Sequence, residues 1–198
     1  MKKIALVAAT LLSLVAQPAL SEDINEVFKK VNELVQQKNY PRAMEELSWA
    51  QKELEKLHQA RLAQLLPSDV EGFKGGETEF QSVMGFTNIE REYQAGEKSI
   101  RLAITGTSGA DGMGGLAGIA KMGMMMGGVQ SGTDQFRLAG RTAQLDSSSG
   151  SPELSVFLES GSILKLSAGD GIEGATLKKF AEALKIAELD SYLKGASN

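Results

Sequence analysis

The chain has 198 residues and not one of them is cysteine. Disulfides, thiolate metal sites and cysteine nucleophiles are therefore excluded. There is a single histidine, His58, so a site that needs two imidazoles cannot be assembled from one chain. Positive charge is also short: 21 basic residues stand against 25 acidic ones, a formal charge of −4. Nucleic-acid phosphates demand a basic face, so a nucleic-acid partner is not expected. No apolar run reaches the roughly 20 residues that a bilayer span requires. The length suits one ordinary domain, or a small domain with an appendage.

What is present begins with an address. Lys2 and Lys3 precede a mostly apolar stretch from Ile4 to Val15, Pro18 follows, and Ala19-Leu20-Ser21 places small residues at the −3 and −1 positions before Glu22. This is the pattern of a secretory signal peptide over residues 1–21, cleaved after Ser21. No cysteine follows it, which excludes a bacterial lipid anchor. Loss of Lys2 and Lys3 leaves 19 basic against 25 acidic side chains, a charge of −6. The expected destination is the periplasm of a Gram-negative cell, or the exterior. A chain without cysteine suits an oxidising compartment, because nothing in it can be mispaired.

Residues 22–67 read as a helical hairpin. Ile24, Val27, Phe28, Val31, Leu34 and Val35 recur at the spacing of one helix face. Lys38-Asn39-Tyr40-Pro41 interrupts the run, and Pro41 fits the first turn of a following helix, where its missing N–H costs nothing. Ala43, Leu47, Ala50, Leu54 and Leu57 then alternate at spacings of four and three. Leu66-Pro67 ends the arm, since the residue before proline is pushed out of the helical region.

The segment from Asn39 to Ala50 resembles the centre of a tetratricopeptide repeat. Tyr40 stands at the helix turn, and Ala43, Leu47 and Ala50 match the small and large apolar positions of that family's second helix. In such a unit the alanines let the helices approach and Leu47 fills the gap between them. The closing proline of the family is missing, and there is one unit where repeat arrays need about three. The resemblance thus implies a lone hairpin and not a solenoid.

Residues 68–198 read as an α+β domain. Phe73-Lys74-Gly75-Gly76 looks like a turn-rich linker. Period-two alternation follows in Ile89/Arg91/Tyr93, Ile100/Leu102/Ile104, Phe136/Leu138, Ala143/Leu145, Leu154/Val156/Leu158 and Ile163/Leu164/Leu166, separated by glycine-bearing turns. About five short strands in hairpin order make an antiparallel sheet with one wet face. Asp170-Gly171-Ile172-Glu173 has the form of a capping box opening a C-terminal helix. Its Leu177, Phe180, Ala181, Leu184, Ile186, Leu189 and Leu193 would cover the dry face. This layout, with the ending Leu177 to Leu184, is similar to the small exported α+β domains grouped with PsbP and Mog1. That likeness carries no functional residues across.

Residues 106–132 form a Met/Gly-rich insertion. It holds five of the eight methionines (Met113, Met122, Met124, Met125, Met126) and ten of the 22 glycines. Between Met113 and Val129 the one charged residue is Lys121. Met113, Leu116, Ala117, Ala120 and Met124 have helical spacing, which fits a helix packed on the sheet through Gly114 and Gly118. Alternatively, an adaptable thioether surface suits a partner protein or a membrane surface. Thioethers also suit Cu(I), with Met122, Met124, Met125 and Met126 as ligands, but three consecutive methionines on a helix point in three directions.

Catalytic patterns fare poorly. His58 has no adjacent acid. Ser147 to Ser151 lack the Gly-x-Ser-x-Gly elbow. Gly106-Thr107-Ser108-Gly109 is not followed by Gly-Lys-Ser/Thr, and Ala117 stands where a dinucleotide loop at Gly112 and Gly114 needs its third glycine. Glu45-Glu46, Glu90/Glu92 and Glu182/Glu188 read as solvated faces. The expectation is a non-enzymatic exported protein without cofactor or resident metal. Tyr40, Trp49, Met113, Met122, Met124, Met125 and Met126 are its candidate partner-binding residues, and a protein of the cell envelope is its expected partner.

Overall fold

The computed structural model describes residues 23–83, 86–107, 133–148 and 150–195. The chain divides into two compact units, one ending at Leu57 and the other beginning at His58.

The first unit is a helical hairpin. Helix α1 (Ile24–Gln36) opens on Asp23, whose carboxylate accepts the Asn25 amide at 3.0 Å, satisfying one of the donors that a helix start leaves unpaired. Its far end closes with two backbone bonds, Lys38 N–H to Val35 O and Asn39 N–H to Leu34 O, while Lys38 takes φ 57°. That is a Schellman closure with a lysine in the left-handed position that glycine usually fills. Helix α2 (Tyr40–Leu65) starts at once, with Pro41 in its first turn. Val27 and Leu34 of α1 and Ala43 and Ala50 of α2 are the buried residues of the hairpin. Leu47 does not fill the gap between the helices but stays 51% exposed. The two alanines occupy the seam, and Leu47 is displaced to its side.

The second unit is built on one eight-stranded antiparallel sheet in the order β1-β2-β3-β4-β8-β7-β6-β5. Its strands are β1 (Asp69–Val70), β2 (Phe73–Val83), β3 (Phe86–Ala95), β4 (Lys98–Thr107), β5 (Thr133–Leu138), β6 (Arg141–Asp146), β7 (Glu153–Phe157) and β8 (Ile163–Ala168). The class is α+β as the alternation indicates, but there are eight strands and not five. The largest omission is β2: Phe73 to Gly76 is no linker but the start of an eleven-residue strand. Gly75 is required there by close approach, since a Cβ at that position would lie 2.6 Å from Arg91 Nε and 2.9 Å from the Tyr93 ring. Two-residue turns join β1 to β2 (Glu71 φ 52°, Gly72 φ 83°) and β5 to β6 (Ala139 φ 47°, Gly140 φ 80°). Positive φ at both central residues matches the twist of the strands they connect.

One face of the sheet is dry. Ile89 and Tyr93, Ile100 to Ile104, Leu154 and Val156, and Leu164 and Leu166 alternate onto it, in register through Ile89↔Ile104, Leu102↔Leu166 and Leu154↔Leu166. The C-terminal cover is two helices, α3 (Gly174–Ala183) and α4 (Ile186–Leu193). The break falls at Leu184, whose ψ of 147° is extended. Asp170 is not the helix cap; that position belongs to Glu173, whose side chain makes no capping bond. The buried residues are nevertheless those that the periodicity selects: Leu177, Phe180, Ala181, Leu184, Ile186 and Leu189. Phe180 meets Tyr93 and Phe73 edge-on at 5.0 and 5.9 Å between ring centroids. Leu62, Leu65 and Leu66, from the end of α2 and just beyond it, complete the core.

Candidate functional site

The candidate surface is best built from what the two hairpin helices leave uncovered. Among the described residues, the exposed large hydrophobic side chains are Phe28, Val35, Tyr40, Met44, Leu47, Trp49, Leu54 and Leu57, and all lie on the hairpin. The described large apolar side chains of the β-sheet unit, by contrast, are buried or half-buried. Single exposed apolar residues need no explanation, but a concentration of them on one small unit does.

Helical geometry shows which of them share a flank. At about 100° per residue, Val27 and Leu34 point into the seam of α1, Lys30 lies about 60° to one side, and Phe28 and Val35 lie about 90° to the other. On α2, with the same spacing, Ala43 and Ala50 point into the seam, Glu46 lies about 50° to one side, and Tyr40, Leu47 and Leu54 lie about 50° to the other, with Met44 beyond them. Lys30 and Glu46 form an ion pair across the seam, which fixes the charged side of both helices. Phe28 and Val35 therefore lie on the same flank as Tyr40, Met44, Leu47 and Leu54, opposite that pair. No Lys or Arg falls within this arc; Glu55 stands at its edge.

The partner residues expected from sequence are thus separated. Tyr40, 56% exposed, belongs to the apolar flank. Trp49 lies nine positions further on, half a turn around the helix, and its ring is covered by the Lys52 ammonium at 4.8 Å. Met113, Met122, Met124, Met125 and Met126 lie outside the described residues, as does the leader 1–21. Phe28, Val35 and Leu54 are legible as apolar residues at helical spacing, whereas Met44 falls outside that pattern. Periodicity alone assigns such residues to a core, and only the hairpin's narrow seam shows that half of them are left over.

Two polar arrangements in the second unit were not visible in sequence. His58 Nδ1 lies 2.8 Å from the Tyr192 hydroxyl, and the rings stack at 5.5 Å. Burial holds the His58 pKa below its ordinary value, which favours the neutral ring in this pair. The second arrangement is Asp190, wholly buried. It accepts Arg141 Nε at 2.8 Å and the backbone amides of Glu159 and Ser160 at 3.0 and 2.9 Å. Burial pushes its pKa up; the two amides and the guanidinium outweigh that and hold the carboxyl below the usual range. This is an anchor between α4 and the β7–β8 turn, with no room for a substrate at the carboxylate.

The wet face of the sheet carries an open groove of about 700 Å³ lined by Lys74, Glu77, Glu79, Glu90, Glu92 and Arg101 among others. Glu90 there accepts Asn88 Nδ2 at 2.6 Å. Among the described residues no three His, Asp or Glu side chains converge as metal ligands would, and no helix is long and apolar enough to cross a membrane. Comparison of the chain with known protein families, with characterised proteins and with solved structures finds no match.

Proposed function

We propose that this is an exported, non-enzymatic binding or accessory protein of the cell envelope, which engages a protein partner through the apolar flank of its N-terminal hairpin. The observation that carries the reading is that, among the described residues, the exposed large apolar side chains are confined to that hairpin. The leader pattern at residues 1–21 supports export, and the acidic balance favours a protein over a nucleic acid as partner. The Met/Gly-rich stretch 106–132 is a second contact in this reading, its composition suited to an adaptable apolar surface.

Affinity capture from envelope extract tests it. A protein held by the tagged wild type should be lost with Leu47→Lys combined with Met44→Lys, and kept with Trp49→Ala on the opposite side of α2. Retention of the same proteins by the double variant would overturn the reading. A soft-metal use of Met122, Met124, Met125 and Met126 is the second possibility that composition supports. Titration with Cu(I) decides it, since an absence of stoichiometric binding removes that use. A membrane-surface role for the same stretch predicts flotation with liposomes that is lost on deletion of residues 122–126.

A further inference from the structure

The flank also indicates what kind of partner completes it, an inference that rests on the docking reading above. We infer that the occupant is the same flank of a second copy of this chain, so that two hairpins close into an antiparallel four-helix bundle.

The width of the apolar stripes is the first argument. On α2 they run from the seam at Ala43 and Ala50, through Tyr40, Leu47 and Leu54, to Met44, about 110° of the helix circumference. On α1 they run from Leu34 and Val27 to Phe28 and Val35, about 120°. A stripe this wide is that of a helix facing a core, and the hairpin gives each helix a single neighbour across its seam. Both missing neighbours fall on the same flank, so an incoming pair of helices supplies them together. The spacing agrees: positions 40, 43, 47, 50, 54 and 57 alternate at three and four, the a/d pattern of helices in bundles.

Charge and area favour a second copy as the source of that pair. A two-fold interface sets a surface against itself, so each charge on it meets its like. The flank satisfies this condition because Glu55, at its edge, is its one charged residue. The six apolar side chains Phe28, Val35, Tyr40, Met44, Leu47 and Leu54 are each between 44% and 66% exposed. Side chains of this size then show on the order of 100 Å² each, roughly 600 Å² per copy and about 1,200 Å² for two, which reaches the area of a specific interface.

The test is the mass of the purified protein in solution, by sedimentation velocity and light scattering. The wild type should have the mass of two chains. Met44→Lys and Leu47→Lys should each weaken the dimer at least tenfold, while Trp49→Lys leaves it intact. Both flank side chains are already more than half exposed, so unchanged helical circular dichroism is expected and separates loss of association from loss of fold. A wild type that stays monomeric up to about 100 µM, or a dimer that survives both flank substitutions, would overturn the inference. In the monomeric case the capture experiment reports separately: flank-dependent retention of a different protein leaves the docking reading standing without self-association.

Discussion

Asp190 gathers three hydrogen bonds on one buried carboxylate. It is fully buried, and it accepts from the Arg141 guanidinium and from two backbone amides. Asp190→Asn keeps the shape but leaves Arg141 without its counter-charge, a loss of about 3 kcal/mol on the scale for broken buried pairs, measurable by urea unfolding. Its folded pKa lies below the unfolded value, so the stabilisation is present above about pH 4 and is lost as pH falls through the lowered pKa. The acid limb of the stability profile should flatten in the Asn variant. His58 gives a second pH window with the same sign. Its pKa is lowered by burial, so folding is favoured above the ordinary histidine value of about 6.5 and loses that contribution as pH falls through the depressed pKa. Tyr192→Phe removes the hydroxyl paired with His58 Nδ1 and should cost about 0.5–1 kcal/mol at pH 8. His58→Gln should abolish the slope just below the ordinary histidine value.

At the scale of elements, the hairpin and the sheet differ in how much of them is readable. The helix spans follow from apolar spacing at Ile24 to Val35 and from Pro41. The alternating strands β4, β6, β7 and β8 follow from Ile100, Ala143, Leu154 and Leu164 and their neighbours. Strand β2 was hidden because glycines at 75 and 76 carry turn propensity, and because Glu77 and Glu79 mask the period. What makes it a strand is tertiary: Gly75 leaves room for Arg91 and Tyr93. Arg91 donates to Leu66 O at 2.7 Å and Gly76 O at 2.9 Å, and the Tyr93 hydroxyl donates to Pro67 O at 2.9 Å. These bonds satisfy carbonyls stranded where Pro67 stops α2. Gly75→Ala should therefore cost about 1–3 kcal/mol, seen as a lower urea midpoint. Lys38→Gly should act in the opposite direction. Lys38 occupies a left-handed position at φ 57°, where glycine avoids a penalty of about 1 kcal/mol, so a rise in the thermal midpoint of the hairpin's helical signal is expected. The capping box at Asp170 misled for a related reason: Gly171 takes φ 70° and carries the chain past that start, so the helix begins at Gly174.

For the whole molecule, the contrast among the described residues is between a sheet unit that covers its large apolar side chains and a hairpin that leaves many of them exposed. The candidate site was half legible. Tyr40 stands out at the turn, while Leu47 and Leu54 read as core because spacing reveals a face but not the number of neighbours available to cover it; Met44 falls outside that alternation. Trp49, nine positions beyond Tyr40, falls on the far side of α2. Strands β4 and β5 run in the same direction, four places apart in the sheet. The Met/Gly-rich stretch joins them in sequence, so its substitution should leave the strand pairings of β6, β7 and β8 intact by amide exchange while changing any partner contact. Export makes its own prediction: protein recovered from the cell should begin at Glu22, and an intact Met1 in the mature pool would contradict it. The most direct test of the docking flank is photo-cross-linking in the living cell, from a photoreactive residue placed at position 47 or, on the opposite side of the same helix, at position 49. The account predicts a discrete protein adduct from 47 and little from 49; equal yields at the two positions, or none at 47, would contradict it.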